Sequence, residues 1–158
     1  MGKPARLTRV ALVAAIYAVL TLMPPFSSLS YGPVQVRVAE ALTVLPFISG
    51  FYAWGLFVGC IVANLGSPYL VYDVVLGSLA TLAAGLLTAR MPRPYLAPLP
   101  PMIINAVVVG WYVGVLSDLP YITTAAYILA GEFVACFAIG YPLLLYILRN
   151  ERLRGFFS

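Results

Sequence analysis

Histidine is absent from this 158-residue chain, and cysteine occurs only twice, at Cys60 and Cys136. Charge is scarce as well: Asp, Glu, Lys and Arg together make up 9% of the residues. A soluble domain carries about 25%. Without histidine no Cys/His zinc or haem site can be assembled. Each cysteine lies inside an apolar run and reads as a buried, unpaired thiol. A paired acidic metal-binding motif is missing too, which together with the lack of His argues against a small membrane enzyme. No Gly-x-x-x-x-Gly-Lys-[Ser/Thr] phosphate loop occurs, so the chain does not hydrolyse ATP in the P-loop manner. No catalytic residue, metal, cofactor or nucleic-acid partner is expected. No polar stretch is long enough to fold separately, which leaves a single membrane domain over residues 1–158.

Apolar side chains are what the sequence has in excess. They form 63% of the residues, and the mean hydropathy is +1.00. Too few polar groups remain to cover a surface facing water, so an all-α integral membrane bundle in the lipid bilayer is expected. A helix needs about 20 mainly apolar residues to cross a hydrocarbon core about 30 Å thick. The apolar runs predict spans over 7–25, 36–50, 51–66, 72–90, 100–117 and 121–148. The second and third come from one apolar region broken near Pro46 and Gly50. Turn-like segments rich in Pro, Gly and Ser separate the runs at 26–33, 66–69, 91–101 and 117–120.

Cation placement predicts the topology. Eight of the nine Lys and Arg residues fall in three clusters: Lys3, Arg6 and Arg9; Arg90 and Arg93; Arg149, Arg152 and Arg154. The positive-inside rule places all three on the cytoplasmic side, and both termini with them. The 36–66 region must then cross an even number of times. A tight pair of short helices gives six spans, and a re-entrant hairpin satisfies the same parity. The basic start and apolar run could also be a signal peptide, but its removal would leave the remaining clusters with the wrong parity. A retained first helix is therefore expected.

Arg37, Glu40, Asp73 and Asp118 fall near the external ends of the spans, and Glu132 falls well inside the last one. Ionisable groups within spans are expensive and usually line a binding site or pathway. Arg37 and Glu40 stand three residues apart, on one helix face, and could pair as a structural lock. Glu132 lies about 16 Å from the outer end of its helix, at 1.5 Å per residue, with no basic neighbour there. A carboxylate at that depth is either neutral or needs a cationic partner, which could be Arg37 or a bound ligand. Asp118 sits in a Ser-Asp-Leu-Pro turn and reads as a loop residue. Asn64 and Asn105 are buried amides with donors and an acceptor to offer. Thr43, Ser78 and Thr81 can simply bond back to their own helix carbonyls. Trp54, Trp111, Tyr69, Tyr72 and Tyr112 are placed near the external side, where an interfacial aromatic belt explains most of them.

Small residues recur in four-residue steps, which lets helices approach closely. Gly55, Gly59 and Ala63 form one row, and Gly77, Thr81 and Gly85 another. The first span carries two: Ala11 with Ala15, and Ala14 with Ala18. A helix at the edge of the bundle could present one of these to another protein.

Three ordered blocks carry a resemblance. They are Arg37-Val-Ala-Glu40-Ala-Leu-Thr43-Val-Leu-Pro46, Gly55-Leu-Phe-Val-Gly59-Cys60-Ile-Val-Ala-Asn64-Leu, and Asp73-Val-Val-Leu-Gly77-Ser78-Leu-Ala-Thr81-Leu. With the later Asn105-Ala and Gly131-Glu132 they resemble the QueT family, whose members are substrate-binding S components of energy-coupling factor (ECF) transporters. The resemblance covers nearly the whole chain. It implies a six-helix subunit in the cell membrane that captures a queuosine precursor, a 7-deazaguanine base such as prequeuosine. Partners implied are a transmembrane coupling subunit, docked on an Ala-x-x-x-Ala row of the first helix, and two ATPase subunits. Either Ala11 with Ala15 or Ala14 with Ala18 matches that row.

The candidate substrate-binding residues are then Arg37, Glu40, Asn64, Asp73, Asn105 and Glu132. Glu40 is the first choice for the N1–H and 2-amino edge of the base, with Arg37 holding its rotamer. Asn64 or Asn105 could meet the carbonyl edge, and Asp73 or Glu132 the cationic aminomethyl group. Two alternatives stay open: an S component for another vitamin, and a stand-alone secondary transporter with Glu132 as its ion or proton site.

Overall fold

The computed structural model describes residues 3–23, 27, 30 and 36–158. The Pro24-Pro25 pair and most of the turn at 26–33 lie outside them. The described residues form helices and connecting turns, with no strand among them. In chain order these are α1 (Lys3–Leu22), α2 (Val38–Phe47), α3 (Tyr52–Asn64), α4 (Leu70–Thr88), α5 (Leu99–Leu116), α6 (Tyr121–Arg149) and α7 (Glu151–Phe157).

Four helical segments are long and apolar enough to cross a membrane: Pro4–Leu22, Leu70–Thr88, Pro94–Leu116 and Tyr121–Arg149. The pair α2 and α3 is shorter, with 10 and 13 residues. At about 2.0 Å rise for a 3₁₀ helix and 1.5 Å for an α-helix, each extends about 20 Å. The outside of the bundle is apolar along its length: Leu12, Val19, Val62, Leu79, Val107 and Ile122 are all exposed. The inside holds Glu40, Asn64, Asp73, Asn105 and Glu132, all buried. Apolar groups outward and charges inward is the pattern of an integral membrane protein.

Helix α2 sits at the centre, touching α1, α3, α4 and α6. It is wound as a 3₁₀ helix, with three residues per turn, so residues three apart eclipse one another. Glu40, Thr43 and Pro46 therefore stack on one side, and all three are buried. The Thr43 hydroxyl donates to the Glu40 carbonyl at 2.6 Å, which ties that turn. Runs of 3₁₀ longer than three or four residues are uncommon, and so are π-helical turns. This fold has both kinds: π segments run over Asp73–Gly77 in α4 and Phe133–Gly140 in α6. One begins at an acidic residue and the other directly follows one.

Glycines bring the helices close. A Cβ on Gly55 would lie 2.6 Å from the Val10 carbonyl oxygen, and one on Gly59 would lie 2.7 Å from that of Ala14. Helix α3 thus rides on the backbone of α1 along the Val10–Ala14 face, with Val13 and Tyr17 buried beside it. Ala11 and Ala15 are exposed on α1, whereas Ala14 and Ala18 are half-buried. Gly110 meets Ala125 across α5 and α6 in the same way, and Gly140 meets Ala41 across α6 and α2.

The basic clusters gather at one end. Asn150 caps α7 by accepting from the Arg152 and Leu153 amides, so the chain turns back after α6. The Arg9 guanidinium then donates to the Ser158 carbonyl at 3.2 Å, and the Tyr52 hydroxyl donates to that of Phe157 at 3.0 Å. Gly50 packs against Ala89, which brings Arg90 alongside. Trp54 belongs to this same end, near Arg6 and Phe51, rather than with Tyr69 and Tyr72 as the aromatic pattern suggested. The opposite end carries the Tyr69–Ser117 hydroxyl contact at 2.6 Å. Asp118, in the α5–α6 turn, has φ 52°, a left-handed conformation that aspartate tolerates better than most residues.

Candidate functional site

Two acidic environments lie inside the bundle. The first surrounds Asp73, at the start of α4, which is fully buried. Arg37, directly before α2, approaches one of its oxygens at 3.6 Å. Tyr112 of α5 and Ser67 of the α3–α4 turn donate hydroxyl hydrogen bonds to its two oxygens. The Asn64 amide donates to the Asp73 main-chain carbonyl at 2.7 Å and contacts the Cys60 sulfur at 3.2 Å. The acidic partner of Arg37 is therefore Asp73, on a different helix, and not Glu40 three residues along its own. Tyr112, grouped by sequence with the interfacial aromatics, is 1% exposed and belongs to this network.

The second environment surrounds Glu40 and Glu132. Tyr17 of α1 donates its hydroxyl to Glu40 Oε1. The Asn105 amide of α5 donates to Glu132 Oε1 at 2.7 Å, and the Cys136 thiol contacts Glu132 Oε2 at 3.1 Å. Glu40, Glu132 and Cys136 bring two carboxylates and a sulfur within 4.8 Å of one another. Such a donor set suits a small cation or an ammonium group. A cavity lies among Arg37, Glu40, Asn105 and Glu132, floored by Gly77, Thr81, Val109 and Ile128. Its free space is about 10 Å³, room for about one water.

Of the six substrate-binding candidates, four line this cavity: Arg37, Glu40, Asn105 and Glu132. Asn64 and Asp73 stand behind it, on the far side of Arg37 and Gly77. Sequence reading missed Tyr17 and Cys136 as contributors. No local spacing announces Tyr17, 23 positions from Glu40, whereas Cys136 stands four residues after Glu132 on the same helix face, a spacing that could have found it.

Two oxygens of the cavity lining have acceptor capacity to spare. Glu40 Oε2 and Asn105 Oδ1 are buried acceptors with no hydrogen-bond partner among the described residues. A buried polar group left unpaired costs about 1–3 kcal/mol. Both belong to cavity-lining side chains, so a ligand rich in N–H donors would complete them.

An all-helical integral membrane protein whose charged groups converge on an internal cavity falls in the class of solute-binding and transport proteins. The comparisons narrow that class. The model of the QueT transporter family matches residues 7–149, and the chain belongs to that family. It is also similar to a protein of Lactococcus lactis subsp. cremoris (strain MG1363) described as "Queuosine precursor transporter QueT". The two are 41% identical over 73 residues, covering 46% of this chain and 43% of that relative. No solved structure matches the chain.

Proposed function

We propose that this chain is the substrate-binding membrane subunit of an ECF-type transporter, capturing a 7-deazaguanine queuosine precursor at the external face of the cell membrane. The observation that carries the ligand assignment is the charge balance of the cavity. Glu40 and Glu132 both line it, while the neighbouring cation, Arg37, already pairs with Asp73. Two buried carboxylates beside one neutralised pair favour a ligand that brings positive charge and several donors. Prequeuosine has both, in its aminomethyl ammonium and its guanidine-like edge. Glu132, with Asn105 and Cys136 around it, takes the ammonium. Glu40 Oε2 and Asn105 Oδ1 accept from the N–H edge, and the carbonyl side lies toward Arg37. The base is far larger than the 10 Å³ now free, so binding parts the Asn105–Glu132 and Tyr17–Glu40 contacts and widens the cavity.

The basic clusters at one end of the bundle support a cytoplasmic placement of both termini, and α2 with α3 as a short pair supports six spans. Uptake driven by ATP then falls to a transmembrane coupling subunit and two ATPase subunits, since this chain has no phosphate loop. For docking, the exposed pair Ala11 and Ala15 is favoured over Ala14, whose backbone already packs on Gly59.

Copurification of the tagged chain from native membranes tests the whole reading, with partners and bound small molecules identified together. Coupling and ATPase subunits are expected, and Ala11→Leu with Ala15→Leu should remove them while leaving base binding intact. A folded wild-type chain that binds neither the aminomethyl nor the nitrile form of the base overturns the substrate assignment.

A further inference from the structure

A pair of adjoining cavities lies at the opposite end of the bundle from Asp73, outside the substrate site. One, of about 170 Å³, is lined by Arg6, Arg9, Ser49 and Tyr52, with Phe157 and Ser158 closing one side. The other, of about 350 Å³, is lined by Leu7, Val10, Phe51 and Trp54, with Arg6 at its rim. They share Arg6, Val10 and Phe51, so a mixed compartment with two guanidinium groups opens beside an almost purely apolar one. The guanidiniums are positioned by aromatic rings: Arg6 lies 4.1 Å from the Phe51 centroid, and Arg9 lies 4.6 Å from that of Phe156.

We propose that these two cavities together bind one anionic phospholipid, its phosphate between Arg6 and Arg9 and an acyl chain along Leu7, Val10, Phe51 and Trp54. Four physical points converge on that occupant. Arg6 and Arg9 sit three residues apart in α1, hence on one face, and no acidic side chain lines either cavity. Arg6 lies in the first described turn of α1, where the helix dipole adds attraction for an anion. Arginine at the end of an apolar helix, with Trp54 beside it, marks headgroup depth. The apolar compartment is open to the lipid side, since Leu7, Phe51 and Trp54 are among the exposed large hydrophobics. A free phosphate would use only the first compartment, whereas a phospholipid uses both.

The bound lipid would bridge α1 to the α2–α3 turn, holding the edge helix on the bundle. Native mass spectrometry of the detergent-extracted chain, titrated with phosphatidylglycerol or with phosphatidylcholine of identical acyl chains, reads this directly. One tightly held phosphatidylglycerol is expected, with phosphatidylcholine retained at least about tenfold less. Arg6→Gln with Arg9→Gln should lose that preference, and Arg152→Gln with Arg154→Gln should keep it. Arg9 also tethers Ser158, so Arg6→Gln alone is measured in parallel to avoid loosening α7. Trp54→Ala should weaken lipid retention while leaving the preference for the anionic head. Equal retention of both lipids, or a preference unchanged in the arginine variants, overturns the proposal. Full displacement of the lipid by millimolar inorganic phosphate overturns it as well, because an ion site then accounts for the arginines.

Discussion

Asp73 and Glu132 are both buried carboxylates on helices with a π-helical segment, yet they are completed in opposite ways. Asp73 has a guanidinium at 3.6 Å and a hydroxyl on each oxygen, all from the protein. Glu132 has one amide and one thiol, with no cation paired to it among the described residues, and it shares its cavity with a second carboxylate. A buried charge with its partners in place locks helices together, whereas one without them waits for a counter-charge. Under the proposed function, the same residue chemistry serves as a strut at one site and as a receptor at the other.

The largest effect should come from breaking the strut. Asp73→Asn leaves Arg37 buried beside a neutral amide and should cost about 3–5 kcal/mol of stability. In detergent that is a fall of about 10 °C in melting temperature. If affinity falls while melting is unchanged, Asp73 touches ligand and the contrast fails. Glu132→Gln should act the other way, with melting nearly unaltered. Its affinity for the aminomethyl base should drop about 10- to 100-fold, from losing a charge-assisted hydrogen bond. The neutral nitrile form should lose far less, and an equal loss for both forms would move the ammonium elsewhere.

Glu40→Gln is expected to weaken both forms alike, by at least about tenfold, because it places an N–H against the N–H edge of the base. Melting of the same variant separates this from a structural role. The smallest effect belongs to Tyr17→Phe, which removes one donor from Glu40 Oε1. Because binding parts that contact, the unliganded chain should lose about 1 kcal/mol of stability and affinity should rise, by about fivefold at most. A larger fall in melting temperature than that of Asp73→Asn would make the Tyr17–Glu40 contact the true strut.

Much of this was readable along the chain. The scarcity of charge and the apolar excess announced a membrane bundle, and the three blocks around Glu40, Asn64 and Asp73 pointed to the family. The pairing of Arg37 was not readable. Three-residue spacing put Glu40 on its own face, but packing of α2 against α4 delivers Asp73 to Arg37, while α1 delivers Tyr17 to Glu40. Tyr112 and Trp54 looked alike as aromatics at helix ends. One is buried on Asp73, and the other stands exposed beside Arg6.

Local properties were therefore settled by sequence. Helices in a bilayer satisfy their backbone groups internally, so apolar runs alone specify that they form and face lipid. The small-residue rows likewise predicted close packing, as Gly55 and Gly59 on α1 bear out. Tertiary structure decided which carboxylate is closed and which stays open. That outcome depends on groups 23, 39 and 27 positions away, namely Tyr17 on Glu40, Tyr112 on Asp73 and Asn105 on Glu132. Only the docking of whole helices brings such partners together, because side chains that far apart in sequence have no local geometry in common.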